Sequence, residues 1–208
     1  YIASETSAQA KASPHLEGFK SKNIPVLIMT DAIDQFWLPM IGSFKDKKFV
    51  SITQGQINLD DLDEKNKDDK NEDKDKQEKQ DKEFIDLIAQ MKVVLGEQVK
   101  DIRLSSKLTD SPVCLVADDG DMDIAMEQLM AQRDTNYKGA PRILEINGDH
   151  SLIKNMKSLL SKKENSDLIS DAGTLLFEQA RLMEGKMPSD PGQFSKIMNQ
   201  FLLKVIKD

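Results

Sequence analysis

The chain has 208 residues, 38% of them hydrophobic, with 29 basic and 36 acidic side chains and a formal net charge of −7; that length suits two small domains better than one large one. Between Asp60 and Glu83 stand 12 acidic and 7 basic side chains, a local charge of −5, so the rest of the chain carries only −2. Near-neutrality outside that segment excludes a strongly basic nucleic-acid face, apolar runs such as Val26 to Met29 are far too short to span a bilayer, and a lone cysteine, Cys114, excludes an intramolecular disulfide framework and fits a reducing cytosol.

The opening residues Tyr1 to Glu5 show neither a basic leader nor an apolar signal core, and without an initiator methionine they read as the start of a piece of a longer polypeptide. Ser13-Pro14 predicts a helix start, Ser13 as cap and Pro14 at the first helical position, with Leu16 and Phe19 on one face and Asn23 at the end. Val26 to Met29 predicts a short strand covered on both faces. Ile33, Phe36, Trp37, Met40 and Ile41 recur at helical spacing, with Pro39 leaving that helix's extent open. Phe49 to Thr53 predicts a second strand, so strand, helix and strand would make a small α/β unit with a parallel crossover.

Only Leu62 is strongly apolar between Asp60 and Glu83, so this stretch is expected to be a solvated linker or a polar, frayed helix. Phe84, Leu87, Ile88, Met91 and Leu95 then share one helical stripe. Val99 to Leu104, Val113 to Ala117 and Ile143 to Ile146 predict strands, and Met122, Met126, Leu129 and Met130 a helix. The last sixty residues read as helical, with stripes at Leu152, Ile153, Met156, Leu159 and Leu160; at Leu168, Ile169, Ala172, Leu175, Leu176, Leu182 and Met183; and, after Ser189-Asp190-Pro191, at Phe194, Ile197, Met198, Phe201, Leu202 and Val205.

Neither a phosphate-binding loop nor a dinucleotide glycine fingerprint is present. The cluster Asp118, Asp119, Asp121 and Asp123 fails as a calcium loop: with Gly120 at position six, positions one and twelve would be Leu115 and Met126, neither of which can ligate. It reads as a polar turn capping the next helix. Asp149-His150 and Cys114 are the residue types of a small α/β enzyme carrying a helical tail, but no nucleophile elbow accompanies them; capping, surface and core-packing roles are the expectation. Met122 and Met126 are either core or a soft apolar surface, and adjacent Phe36 and Trp37 cannot both face one core. The terminal stripe needs a cover, either the preceding helix or a second subunit.

Several strings together resemble the ninety-kilodalton heat-shock chaperone family, close to its bacterial HtpG branch. Ser13 to Glu17 (SPHLE), Thr30 to Trp37 (TDAIDQFW) and Lys47 to Ser51 (KKFVS) resemble the end of that family's middle domain. Val99 to Gly120 (VKDIRLSSKLTDSPVCLVADDG) and Ile143 to Met156 (ILEINGDHSLIKNM) resemble its C-terminal domain. The resemblance implies a fold of mixed α+β and α/β character: a small α/β subdomain over 1–59, a charged linker over 60–83, and a mixed α/β domain over 84–208 ending in long dimerisation helices.

It also implies a homodimer paired through Leu168, Leu175, Leu176, Leu182, Phe194, Ile197, Met198, Phe201, Leu202 and Val205. Client contacts would come from Gln35, Phe36, Trp37, Met122 and Met126, on unfolded or partly folded proteins. Gln35 stands where the family has an acid, and Ala32 and Gly148 where it generally has proline. ATP and magnesium would belong to an N-terminal domain beyond this stretch, leaving it catalytically silent, with no catalytic or metal-ligating residues of its own. The final residues, Val205 to Asp208, match neither the acidic peptide of eukaryotic cytosolic members nor a retention signal, so a bacterial cytoplasmic protein is expected.

Overall fold

The computed structural model describes residues 1–59, 70–133, 137, 139–161 and 165–207. The chain is mixed α and β, with eight α-helices and small sheets among those residues. None of the described helices is long and apolar enough to cross a membrane.

Strand β1 (Ile2–Ala3) pairs in parallel with β2 (Ile28–Met29), Ile2 opposite Ile28. Between them run α1 (Ser7–Ala12), a 3-10 turn (Pro14–Leu16) and α2 (Glu17–Ser21). As the sequence predicts, Ser13 Oγ accepts from the His15 N–H at 3.3 Å and Pro14 takes the first helical position. Asn23, at φ 55°, turns the chain out of α2. A parallel crossover exists, but it lies before the apolar run Val26 to Met29 rather than after it.

The two predicted strands here need correction. β2 is only two residues long, both of them only half-buried, and Leu27 is exposed, so the run is not covered on both faces. Phe49 to Thr53 is not a strand. Two of its backbone groups meet Tyr1, whose amino group donates to the Val50 carbonyl at 2.7 Å and whose carbonyl accepts from the Ile52 N–H at 2.9 Å; the Phe49 N–H donates to the Gly42 carbonyl, and the chain turns at Ile52 and Thr53. A hairpin that the pattern did not announce, β3 (Ser43–Phe44) with β4 (Lys47–Lys48), precedes it. Its two-residue loop, Lys45-Asp46, holds both residues at positive φ (48° and 62°), the geometry that matches strand twist but normally selects Asn or Gly. Helix α3 (Asp34–Ile41) contains Pro39 and buries only Asp34 and Leu38.

Residues 60–69, Leu62 among them, lie outside the described residues. From Lys70 the predicted charged segment is the start of α4 (Lys70–Leu95). The stripe Phe84, Leu87, Met91 and Leu95 is fully buried, and Ile88 packs against it; each such side chain stabilises by roughly 1.5–3 kcal/mol. The stripe lies on a three-stranded sheet of order β5-β7-β6, with β5 (Val99–Leu104) parallel and β6 (Val113–Val116) antiparallel to central β7 (Arg142–Ile146). Helix α5 (Ile124–Arg133) precedes β7, and α6 (Ser151–Leu159), α7 (Ser166–Met183) and α8 (Pro191–Lys207) follow it. Ile153, Met156, Ile169, Leu176, Phe177 and Ala180 complete this core.

Residues 1–59 keep a separate small core of Ile2, Ala10, Leu16, Phe19, Ile52 and Leu59. The seam between the two cores is polar. Both Glu17 carboxylate oxygens are used there: they accept from the backbone N–H groups of Thr109, Asp110 and Ser111 and from the Ser111 hydroxyl. Gln54 bridges to Ala117, whose N–H donates to the Thr53 carbonyl at 2.9 Å. Gly18 admits the closest approach: a Cβ there would stand 2.6 Å from the Lys107 carbonyl oxygen and 2.4 Å from Leu59 Cδ1.

Candidate functional site

The tail presents an extended apolar face. Glu178, buried, accepts from the Ser189 N–H and pairs with Arg181, while Asp190 Oδ1 caps α8 by accepting from the Gln193 N–H at 2.9 Å. These polar contacts fix the turn between α7 and α8 and so the direction of the last helix. Of the residues expected to pair two chains, Leu176 and Ile197 are buried inside the chain itself; Leu168, Leu175, Phe194 and Phe201 are half-buried; Leu182, Met198, Leu202 and Val205 are exposed. The periodicity missed Leu203 and Ile206, exposed off the main stripe. With Leu202 at 52%, Val205 at 75% and Ile206 at 78% exposure, the end of α8 is apolar on more than one side, which in water calls for cover by another surface.

A second apolar face surrounds α3. Trp37 is half-buried, its indole N–H donating to Asp34 Oδ1 at 2.8 Å and its ring edge-on to Phe49 at 6.0 Å. Phe36 and Gln35 are also half-buried, the latter with an Oε1 that accepts no hydrogen bond. The greater exposure belongs to Ile33, Met40 (85%), Ile41 and Phe44. The helical spacing of the first three was legible, but not that the stripe faces outward; Phe44 comes from the unannounced hairpin.

Met122 and Met126 do not share a helical face, because α5 begins only at Ile124. Met122 lies in the preceding loop, exposed, its carbonyl accepting from Arg142 at 2.7 Å; Met126 is half-buried on α5, whose inward face is Ile124, Ala125 and Glu127. Asp123 stands between the two methionines and accepts from the Ser51 and Thr53 hydroxyls. The stretch just after Phe49 is thereby fastened to the methionine loop across the seam.

The titratable residues singled out by type do not converge. His150 caps α6, its Nδ1 accepting from the Leu152 N–H at 3.1 Å, and Asp149 pairs with Lys154 at 2.9 Å. Cys114 is buried in β6, where burial and then the Glu145 carboxylate push its thiol well above the ordinary range. Asp118 and Asp121 both pair with Lys100, and among the described residues no three His, Cys, Asp or Glu side chains gather as metal ligands.

The buried histidine is the other one. Burial, and then Lys107, push the His15 imidazole down to about 3, so it is neutral in the folded chain. An unfolded histidine titrates near 6.5, so the unfolded state takes up a proton that the folded state refuses, and stability is lost as pH falls from 6.5 towards 3. Between pH 7.5 and 5.5 this contributes a loss of about 1 kcal/mol. Urea unfolding at those two pH values should show that loss reduced by about this amount in His15→Gln; an identical pH dependence in both proteins would contradict the assignment.

Comparison with known proteins matches this arrangement to one family. The sequence model described as Hsp90 protein matches residues 1–207. Chaperone protein HtpG of Roseobacter denitrificans is 42% identical over 93% of this chain and 31% of its own length. The proteins of the same name from Wolbachia pipientis wMel and Coxiella burnetii are each 39% identical over 99% and 98% of this chain, and 32% and 30% of theirs. The chain thus spans about a third of the curated relatives it matches. With the family match running through both segments and all three tail helices, the chain belongs to the Hsp90 family.

Proposed function

We propose that this chain is the pairing and client-contact portion of an ATP-dependent molecular chaperone of the HtpG type, working as a homodimer on unfolded or partly folded proteins in the bacterial cytoplasm. Residues 1–59 are read as the closing subdomain of a middle domain, 60–83 as a charged connection and 84–208 as the dimerisation domain. Nucleotide chemistry is assigned to the length of the relatives that this chain does not span. The observation that carries the proposal is the uncovered apolar end of α8, continued by Leu182 and Met183 on α7: a twin copy offers an identical ridge, and a two-fold contact lets each cover the other.

The client surface is assigned to Gln35, Phe36, Trp37, Met122 and Met126, with Met40, Ile41 and Phe44 added by their exposure. Thioether side chains are unbranched and polarizable, which suits a surface that must meet varied apolar segments. Met122→Ser with Met126→Ser should lower the chain's suppression of aggregation of a chemically unfolded client severalfold. Sedimentation and the urea midpoint should stay unchanged, since neither methionine is fully buried. Unimpaired suppression would remove the pair from the client surface, and lost folding would place it in the core.

A further inference from the structure

Three of the six lysines of residues 1–59, Lys45, Lys47 and Lys48, stand within four positions of one another in the β3–β4 hairpin. Asp46 is the only acid between Ser43 and Lys48, so the hairpin carries a local charge of +2. All six of its residues are exposed, and among the described residues no carboxylate pairs with the three ammonium groups. The register sets Phe44 opposite Lys47, and directly opposed residues of an antiparallel pair project to the same side. Lys45 Nζ lies 5.4 Å from the centroid of the Phe44 ring. An exposed aromatic ring is thus bordered by two cationic side chains.

The hairpin continues an apolar surface. Helix α3 turns only Asp34 and Leu38 inward, which leaves Met40 and Ile41 exposed at its end, four and three residues before Phe44. A stretch of roughly 14 Å at most holds all three side chains' backbone positions, within reach of one short peptide. The acids of this region stand elsewhere: Asp31 precedes α3, and Asp34, buried and accepting from Trp37, lies at its first turn, roughly 10 Å along the axis from Ile41. Lysines on an exposed hairpin ordinarily keep other strands from adding to it. That guard works against neutral and basic chains and turns into an attraction for acidic ones.

We infer that the end of α3 and the β3–β4 hairpin select polypeptide segments in which carboxylates alternate with apolar side chains. Met40, Ile41 and Phe44 meet the apolar residues, and Lys45, Lys47 and Lys48 the carboxylates. This selection rests on the reading of α3 as a client surface and adds to it the class of segment preferred. An anionic bilayer offers the same charge over apolar material but is the poorer match. The whole chain carries −7, which opposes approach to an extended negative surface, whereas a short peptide samples only the field within about 10 Å of the hairpin.

Fluorescence anisotropy with labelled, capped heptapeptides X-Leu-X-Phe-X-Ile-X, X being glutamate, glutamine or lysine, tests this on the chain. The glutamate peptide should bind about tenfold more tightly than the glutamine peptide, the lysine peptide most weakly, and added salt should shrink the difference. Lys45→Asn with Lys47→Gln and Lys48→Gln should abolish the preference while leaving the glutamine peptide's affinity unchanged; all three positions are exposed, and asparagine suits the positive φ of Lys45. Met40→Ser with Phe44→Ser should weaken the glutamate and glutamine peptides alike. Equal affinity for those two peptides, lowered by the Met40 and Phe44 changes, would overturn the charge selection and leave the client surface standing. No binding of any peptide, or binding untouched by the Met40 and Phe44 changes, would overturn both. A glutamate preference that survives loss of the three lysines would also overturn the inference. So would sedimentation of the chain with phosphatidylserine vesicles that the lysine changes prevent, if no peptide preference accompanies it, since that assigns the hairpin to a bilayer.

Discussion

Leu202→Glu combined with Val205→Glu should turn a dimer of about twice 23.4 kDa into a 23.4 kDa monomer at low micromolar concentration. In the single chain both residues are exposed, at 52% and 75%, so the substitutions remove no internal packing, and glutamate is a good helix former. The two-fold relation doubles every change, which places four carboxylates in one apolar interface. Losing roughly 1.5–3 kcal/mol per apolar side chain, with unpaired charge set against apolar surface besides, amounts to at least ~5 kcal/mol, more than a thousandfold in dimer affinity. Sedimentation equilibrium reads it directly. The unsubstituted chain should also melt at a temperature that rises with its concentration, and the variant should not. A monomeric unsubstituted chain, or an undiminished dimer after both substitutions, would dispose of the tail as a pairing surface.

How far the sequence was legible depended on how many residues each element had to declare itself. Helix α4 supplied five apolar residues at consistent spacing, and the stripe Phe84 to Leu95 is buried as read. β5 and β7 are strongly apolar or alternating runs bounded by turns, and they lie within a residue of their expected limits. Elements of two residues gave no such pattern: β1, β3 and β4 were invisible, and Phe49 to Thr53 has strand composition yet turns at Ile52 and Thr53 after meeting Tyr1.

Orientation was harder than existence. Spacing marks the α3 stripe as helical, as it is, but does not say whether an apolar face meets a core or solvent. A spacing of four places Met122 and Met126 on one helix, whereas the loop from Asp118 to Asp123 delays α5 to Ile124.

The seam itself is where one substitution should cost most. Lys107 is 1% exposed, its ammonium donating to the Ile52 carbonyl at 3.1 Å and standing 3.7 Å from Glu145, itself 2% exposed on central strand β7. Glu145 also accepts from Arg103 at 2.8 Å and from the Ser105 hydroxyl at 2.9 Å, and Arg103 reaches across the seam to the Gly55 carbonyl at 3.0 Å. Glu145→Leu would leave the Lys107 ammonium buried with a single carbonyl for company. Removing one partner of a buried ion pair costs about 3–5 kcal/mol, whereas replacing both by apolar residues of similar volume is often nearly neutral. Urea unfolding should therefore show Glu145→Leu destabilised by about that amount. The double variant Glu145→Leu, Lys107→Met should recover most of it, because Arg103 is partly exposed and keeps Gly55 as a partner. A coupling energy of several kcal/mol from the cycle would identify the loss as the stranded ammonium rather than a reshaped strand. Equal losses in the single and double variants would mean that Glu145 does not hold Lys107 in place.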